Sequence, residues 1–234
     1  MAKHIPRIYC PDLNDEFFEI PDFQITHLIS VLRLKDGDNF FAFNQEKGEW
    51  LCSILSIKKR GVTAKRVEFQ KEFQRSNFLA LAFSLIKPDN MRLIIEKGTE
   101  LGVTDFYPLI TKYTNSKLNI KKLESIAILA SEQSERIDIP QIHEEIHFEN
   151  FIMKLPDNFA WISAIERKQD ISSLNEIDMK NKNIGFIIGP EGGFSDLEKD
   201  MLSQKTIPSC LSSNILRSET AAIACLSVYN TKNV

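Results

Sequence analysis

Two short segments near the C-terminal end of the 234-residue chain combine residue types that can do chemistry. The first runs an apolar stretch, Ile184-Gly185-Phe186-Ile187-Ile188, into Gly189-Pro190-Glu191-Gly192-Gly193 and then Phe194 and Ser195. Glycines leave backbone N–H and C=O groups bare, and a carboxylate stands among them. The second is Leu216-Arg217-Ser218-Glu219-Thr220-Ala221. Here Ser218 suits a helix cap and Glu219 suits the positive end of the helix dipole. Arg217 is a cation at that same positive end, so it calls for an anionic ligand or a paired carboxylate. Both segments read as strand-to-helix corners at the carboxyl edge of a sheet, where α/β proteins bind small ligands. Their closeness in sequence predicts one pocket built from both.

The spacing excludes the common nucleotide loops. No Gly-Lys-Ser/Thr follows Gly193, and the glycines do not fit GxGxxG, which removes the ATP, GTP and NAD signatures. Cys10, Cys52, Cys210 and Cys225 lie far apart, and the four histidines are equally scattered. Neither metal-ligand spacing nor a disulfide framework is present, so no metal is expected.

The elements that must carry these corners follow from periodicity. From Phe78 onward the chain alternates strand and helix: an apolar run Phe78–Ile86, a helix capped by Asp89 or Asn90 and stopped by Gly102, then a strand Phe106–Ile110. A helix from about Ile120 to Arg136 follows, and short strands at Phe159–Ile165 and Ile184–Ile188. Such alternation predicts a mostly parallel sheet covered on both faces. Before the polar linker Gln70–Asn77 the pattern differs. Segments 39–43, 50–57 and 61–69 read as strands between Gly48 and Gly61 turns, preceded by one helix, Phe23–Leu34, with Ile25, Leu28, Ile29 and Leu32 on one face. This predicts a small β-barrel with a packed helix.

Composition is that of an ordinary soluble domain, 43% hydrophobic and 26% charged, and no apolar run reaches membrane-span length. The N-terminus has no apolar signal core, so the expected location is the cytoplasm. Net charge is −3, yet Lys58, Lys59, Arg60, Lys65 and Arg66 crowd one hairpin-like segment. That cluster suits either a lysine-protected strand edge or a phosphate-contacting rim.

Taken together the motifs resemble the bacterial 16S ribosomal RNA uridine-N3 methyltransferases of the SPOUT class. The resemblance covers the whole chain. It rests on Arg7-Ile8-Tyr9, on His27 to Leu34 with Gly37-Asp38, and on Lys97 with Glu100-Leu101-Gly102-Val103. Gln133-Ser134 with Arg136 and Pro140, Ile188 to Phe194, and Leu216-Arg217 with Glu219-Thr220 complete it. It implies a PUA-like β-barrel over residues 1–72 and a SPOUT-type α/β domain with a C-terminal trefoil knot over 73–234. S-adenosylmethionine is the implied cofactor, held by Ile188, Gly189, Gly193, Leu211, Ser212, Ile215, Leu216 and Ala221. Arg217, Glu191 and Glu219 are the implied catalytic residues. Arg7, Arg33, Lys58, Lys59 and Arg60 would contact 16S rRNA in the small ribosomal subunit, and the chain would form a homodimer. Ser212 stands where the family usually has glycine, Asn214 where it has a cation, and Tyr113 where arginine is common. Methylation of a different rRNA or tRNA nucleotide, or a non-catalytic role in RNA binding, are the competing expectations.

Overall fold

The structure is a computed structural model that describes residues 5–58, 61–75, 77–114, 116–165, 171–180 and 182–233. Its contacts divide the chain into two units: Met1–Gln74 with Ser131–Ile139, and Arg75–Ala130 with Pro140–Val234.

The first unit holds β1 (Arg7–Tyr9), β2 (Phe17–Glu19), α1 (Asp22–Thr26), β3 (Asn39–Asn44), β4 (Gly48–Lys58) and β5 (Gly61–Lys71). The strands form one sheet in the order β1-β3-β4-β5-β2; β1 lies parallel to β3 and the other pairs are antiparallel. Alternation delivers Phe40, Ala42, Cys52, Ile54, Val62 and Ala64 to one buried face. The expected helix over Phe23–Leu34 is shorter and irregular. After α1, residues His27–Val31 form a π turn in which the N–H of Leu32 donates to the carbonyl of His27 at 3.0 Å. The wider turn still buries Leu28 and Leu34, so the apolar spacing was satisfied without a continuous α-helix.

The second unit runs β6 (Leu79–Ser84), α2 (Pro88–Glu100), β7 (Asp105–Ile110), α3 (Ile120–Gln133), β8 (Gln141–Ile142), β9 (Ile146–His147) and α4 (Phe148–Met153). It continues through β10 (Ala160–Ala164), β11 (Ile184–Ile188), α5 (Asp196–Lys205), β12 (Ile207–Ser209) and α6 (Ser218–Asn233). The last residues of α3 group with the first unit. Every strand pair in this sheet is parallel, in the order β12-β10-β11-β6-β7-β8, with β9 also on β7. β6 and β11 are buried at every residue, as central strands covered on both faces must be. Gly185 in β11 lies under Trp161: a Cβ there would sit 2.4 Å from the indole. α6 is anchored on α2 by Asn230, whose side-chain N–H donates to Leu101 at 2.8 Å.

Candidate functional site: a cleft at the carboxyl edge of the parallel sheet

The first corner is held by packing and capping. A Cβ on Gly189 would come 2.9 Å from the Phe194 ring, so glycine there lets Phe194 fold back onto the strand end and bury itself. Gly193 has φ 71°, and its N–H closes a turn onto Pro190 at 2.9 Å, a geometry that favours glycine. Ser195 then opens α5 with a reciprocal capping box. Its N–H and hydroxyl donate to Glu198 Oε2 at 2.7 and 2.8 Å, and the Glu198 N–H returns to Ser195 Oγ at 3.4 Å. Buried Glu198 also accepts the Lys112 N–H at 2.9 Å through Oε1, which ties the turn after β7 to this corner. Gly192 faces Tyr113 of that turn at ordinary contact distance.

The second corner is irregular from Leu211 to Arg217. The N–H groups of Leu211, Ser213, Ile215 and Leu216 have no hydrogen-bond partner among the described residues. The Ser218 hydroxyl, expected as a helix cap, reaches across instead and donates to the carbonyl of Gly189 at 2.7 Å. That bond joins the two corners directly. Glu219 lies in the first turn of α6, suited to the helix dipole; it is buried, and its Oε2 has no partner among the described residues.

One cleft results. Ile188, Gly189 and Gly193 line it from the first corner, and Leu211, Ser212, Ile215, Leu216 and Ala221 from the second. Glu191 also lines it, exposed, with Asn90 Nδ2 at 3.5 Å from its carboxylate. Arg217 and Glu219 flank the cleft without lining it. The Arg217 side chain is exposed and has no partner among the described residues. Lys199 of α5 and Ala164 and Ile165 at the end of β10 complete the wall. Sequence reading missed all three: Ala164 and Ile165 because only the sheet order brings β10 beside β11, and Lys199 because nothing local sets it apart from the other polar residues of α5.

The cations expected to meet RNA separate into different classes. Arg7 is enclosed. It is only 7% exposed, pairs with buried Glu49, and donates to the carbonyl of Arg136 at 3.0 Å. Burial pulls its guanidinium below its ordinary range, with Glu49, Glu135 and Glu132 opposing. Its charge is spent inside the unit rather than offered to a phosphate. Arg33 is exposed, with φ 57°, and Lys58 is exposed at the end of β4; Lys59 and Arg60 lie outside the described residues. In the same cluster Lys65 pairs with Glu16 at 3.1 Å, while Arg66 stacks on Trp50 and donates to the carbonyls of Leu13 and Asn14. Lys97 and Glu100 form the surface ion pair their spacing suggests, at 2.7 Å. No helix among the described residues is long and apolar enough to cross a membrane, and none of their acidic, His and Cys side chains cluster as metal ligands.

The RNA methyltransferase domain family matches residues 74–230, and the RNA methyltransferase PUA domain family matches residues 20–65. Ribosomal RNA small subunit methyltransferase E of Rickettsia conorii is 36% identical over 210 residues, covering 88% of this chain and 85% of the relative. The protein of the same name from Bacillus subtilis is 30% identical over 232 residues, covering 91% of each. Among solved structures, a Legionella pneumophila methyltransferase in complex with bound SAM superposes with a TM-score of 0.90 at 28% identity, covering 99% of both chains. Ribosomal RNA small subunit methyltransferase E of Neisseria gonorrhoeae, bound to S-adenosyl methionine, gives 0.87 at 25% identity, covering 97% of this chain and 98% of that one. The parallel sheet with its two-cornered cleft, preceded by a PUA-like unit, is thus the fold of those enzymes, and the chain belongs to the RNA methyltransferase family that includes ribosomal RNA small subunit methyltransferase E.

Proposed function

We propose that this chain is an S-adenosylmethionine-dependent methyltransferase that methylates N3 of a uridine in 16S rRNA of the small ribosomal subunit. The observation that carries the reading is the Ser218–Gly189 bond, which fuses both corners into one cleft. The cleft fits the cofactor in chemistry. Bare N–H groups at Leu211, Ser213, Ile215 and Leu216 suit the polar atoms of an adenosine and an amino acid. The apolar walls at Ile188, Leu216 and Ala221 suit a base ring. When bound, the cofactor supplies an electrophilic methyl group.

The protein's own residues divide the remaining work. Uracil N3 carries a proton and becomes nucleophilic only once that proton leaves. Glu191, exposed at the cleft, accepts it, and Arg217, without a partner among the described residues, holds the negative charge that develops on the base. Glu219, two residues after Arg217, presents a buried oxygen with no partner among the described residues and orients a donor brought to the site. Residues 1–72 dock the RNA, with Arg33 and the Lys58–Arg60 segment toward phosphate. Residues 73–234 carry the chemistry, their end threaded as a trefoil knot. The working form is a cytoplasmic homodimer with each site bordered by the partner.

Calorimetry with S-adenosylmethionine, then methyl transfer to 30S particles read by nucleoside mass spectrometry, tests this. Binding followed by 3-methyluridine is expected. Absence of cofactor binding removes the enzymatic reading, and a different methylated nucleoside removes only the uridine-N3 assignment.

A further inference from the structure

The N-terminal motif residues play no part in the cofactor cleft, yet they converge elsewhere. Arg7, His27, Leu32, Leu34, Asp38 and Gln133 all line a single cavity of about 660 Å³ within the first unit. That volume falls in the range of small-ligand sites. Its shape comes from backbone irregularity: the π turn at His27–Val31, positive φ at Arg33 and Gly37, and positive φ at Glu135 where the chain leaves α3. Its floor is fixed by Glu132, 5% exposed, whose Oε1 accepts the Tyr9 N–H at 2.9 Å and Gln24 Nε2 at 2.5 Å.

The electrostatics select the occupant. Three carboxylates, Asp38, Glu132 and Glu135, line the cavity. Arg7 is already paired with Glu49, and no lysine among the described residues lines the cavity. A phosphate is repelled here, because phosphate contacts are built from free Lys and Arg. The cavity offers acceptors together with apolar wall from Pro6, Leu32 and Leu34, which suits a flat ring bearing N–H donors. Unpaired RNA bases are read in this way, by contact on the ring and hydrogen bonds on the edge.

We propose that this cavity takes one unpaired nucleotide of the RNA substrate whose base carries an exocyclic amino group. Guanine matches best, since its N1–H and N2–H2 make an unbroken row of donors toward the carboxylates. The inference rests on the RNA methyltransferase reading and deepens it: this nucleotide is distinct from the methylated uridine and sets where the first unit sits on the RNA.

Fluorescence anisotropy with the full chain, saturated with S-adenosylmethionine, would use five-nucleotide unstructured RNAs differing only at the central base. Guanine should bind about tenfold tighter than uracil, as expected for one good base-edge pair, with inosine, which lacks the N2 amine, between them. Glu135→Gln on the exposed rim and Asn39→Trp, which fills the cavity from its edge, should each abolish that preference. Cofactor affinity and melting temperature should stay unchanged. Equal binding of all bases, a uracil preference, or a guanine preference that survives both variants would overturn the proposal. So would a uniform tightening in Glu135→Gln, which would mark the cavity as merely repulsive. Loss of cofactor binding in the unmodified chain would instead count against the methyltransferase reading itself.

Discussion

Two arginines show how environment, not residue type, decides what a charge can do. Arg217 stands exposed beside the cleft with no partner among the described residues, while Arg7 is enclosed with Glu49. Arg217→Ala should therefore lower turnover by about a hundredfold or more, the scale of losing one charge-stabilising donor, while changing cofactor affinity little. Single-turnover kinetics alongside calorimetry separates the two, and a fully active variant would remove Arg217 from the reaction. Arg7→Ala should act on folding, costing about 1–3 kcal/mol in urea unfolding, because buried Glu49 then keeps only its looser pair with Lys71 at 3.7 Å. Glu132 adds a pH dependence. Burial holds its carboxyl above its ordinary range, against the opposing pull of Tyr9, Gln24 and Arg7. A carboxyl with a raised folded pKa favours the folded state while protonated. That contribution is complete below the ordinary carboxylate range and is lost as pH rises through the folded value. Glu132→Gln, which keeps an oxygen for Tyr9, should gain stability relative to the parent protein between about pH 4 and pH 7. Parallel denaturation curves at the two pH values would show it, and a pH-independent difference would contradict it.

At the scale of elements, the glycines of the second unit have separable roles. Gly185→Ala drives a methyl into the Trp161 indole and should destabilise by about 1–3 kcal/mol, the usual cost of overpacking a filled core. Gly192→Ala meets only an ordinary contact with Tyr113 and should leave stability within about 0.5 kcal/mol. Any loss of activity in that variant then reports on a ligand, and thermal melts of the pair against methyl-transfer rates decide the matter. The central strands were legible in sequence because a strand buried on both faces must be largely apolar, as β11 is throughout and β6 is up to its last residue, Ser84. The strand-to-helix corner before α5 was legible because its glycines and proline are local signals. Short edge strands such as β1, β2, β8 and β12 carry too few residues for a period to show. The π turn hides behind a helical apolar spacing. In the cleft, the glycine corner could be read from its own residues, whereas Ala164 and Ile165 reach it only through the order β12-β10-β11, a non-local property. The enclosure of Arg7 was not legible for the same reason: its partner Glu49 comes from another strand, which no local charge pattern announces.

At the scale of the whole molecule, the second unit leaves apolar side chains bare around its cleft. Ile215 is 87% exposed at the cleft wall, and Leu197 is 67% exposed in the first turn of α5. Side chains of this kind beside a site mark a surface that another protein covers, and a second copy of the chain can do so with a self-complementary patch. Leu197 does not line the cleft, so changing it tests the interface without touching the cofactor's wall. Leu197→Asp places a charge where a symmetric contact would bury it twice, once from each copy. On the proposed homodimer, sedimentation should then show a monomer where the parent chain sediments as a dimer, with the melting temperature of the isolated chain preserved. Turnover should fall by about a hundredfold, because a site bordered by the partner loses the positioning that the partner supplies. A variant that stays dimeric and fully active would place the interface on another face, and a monomer with full activity would show that each cleft works alone.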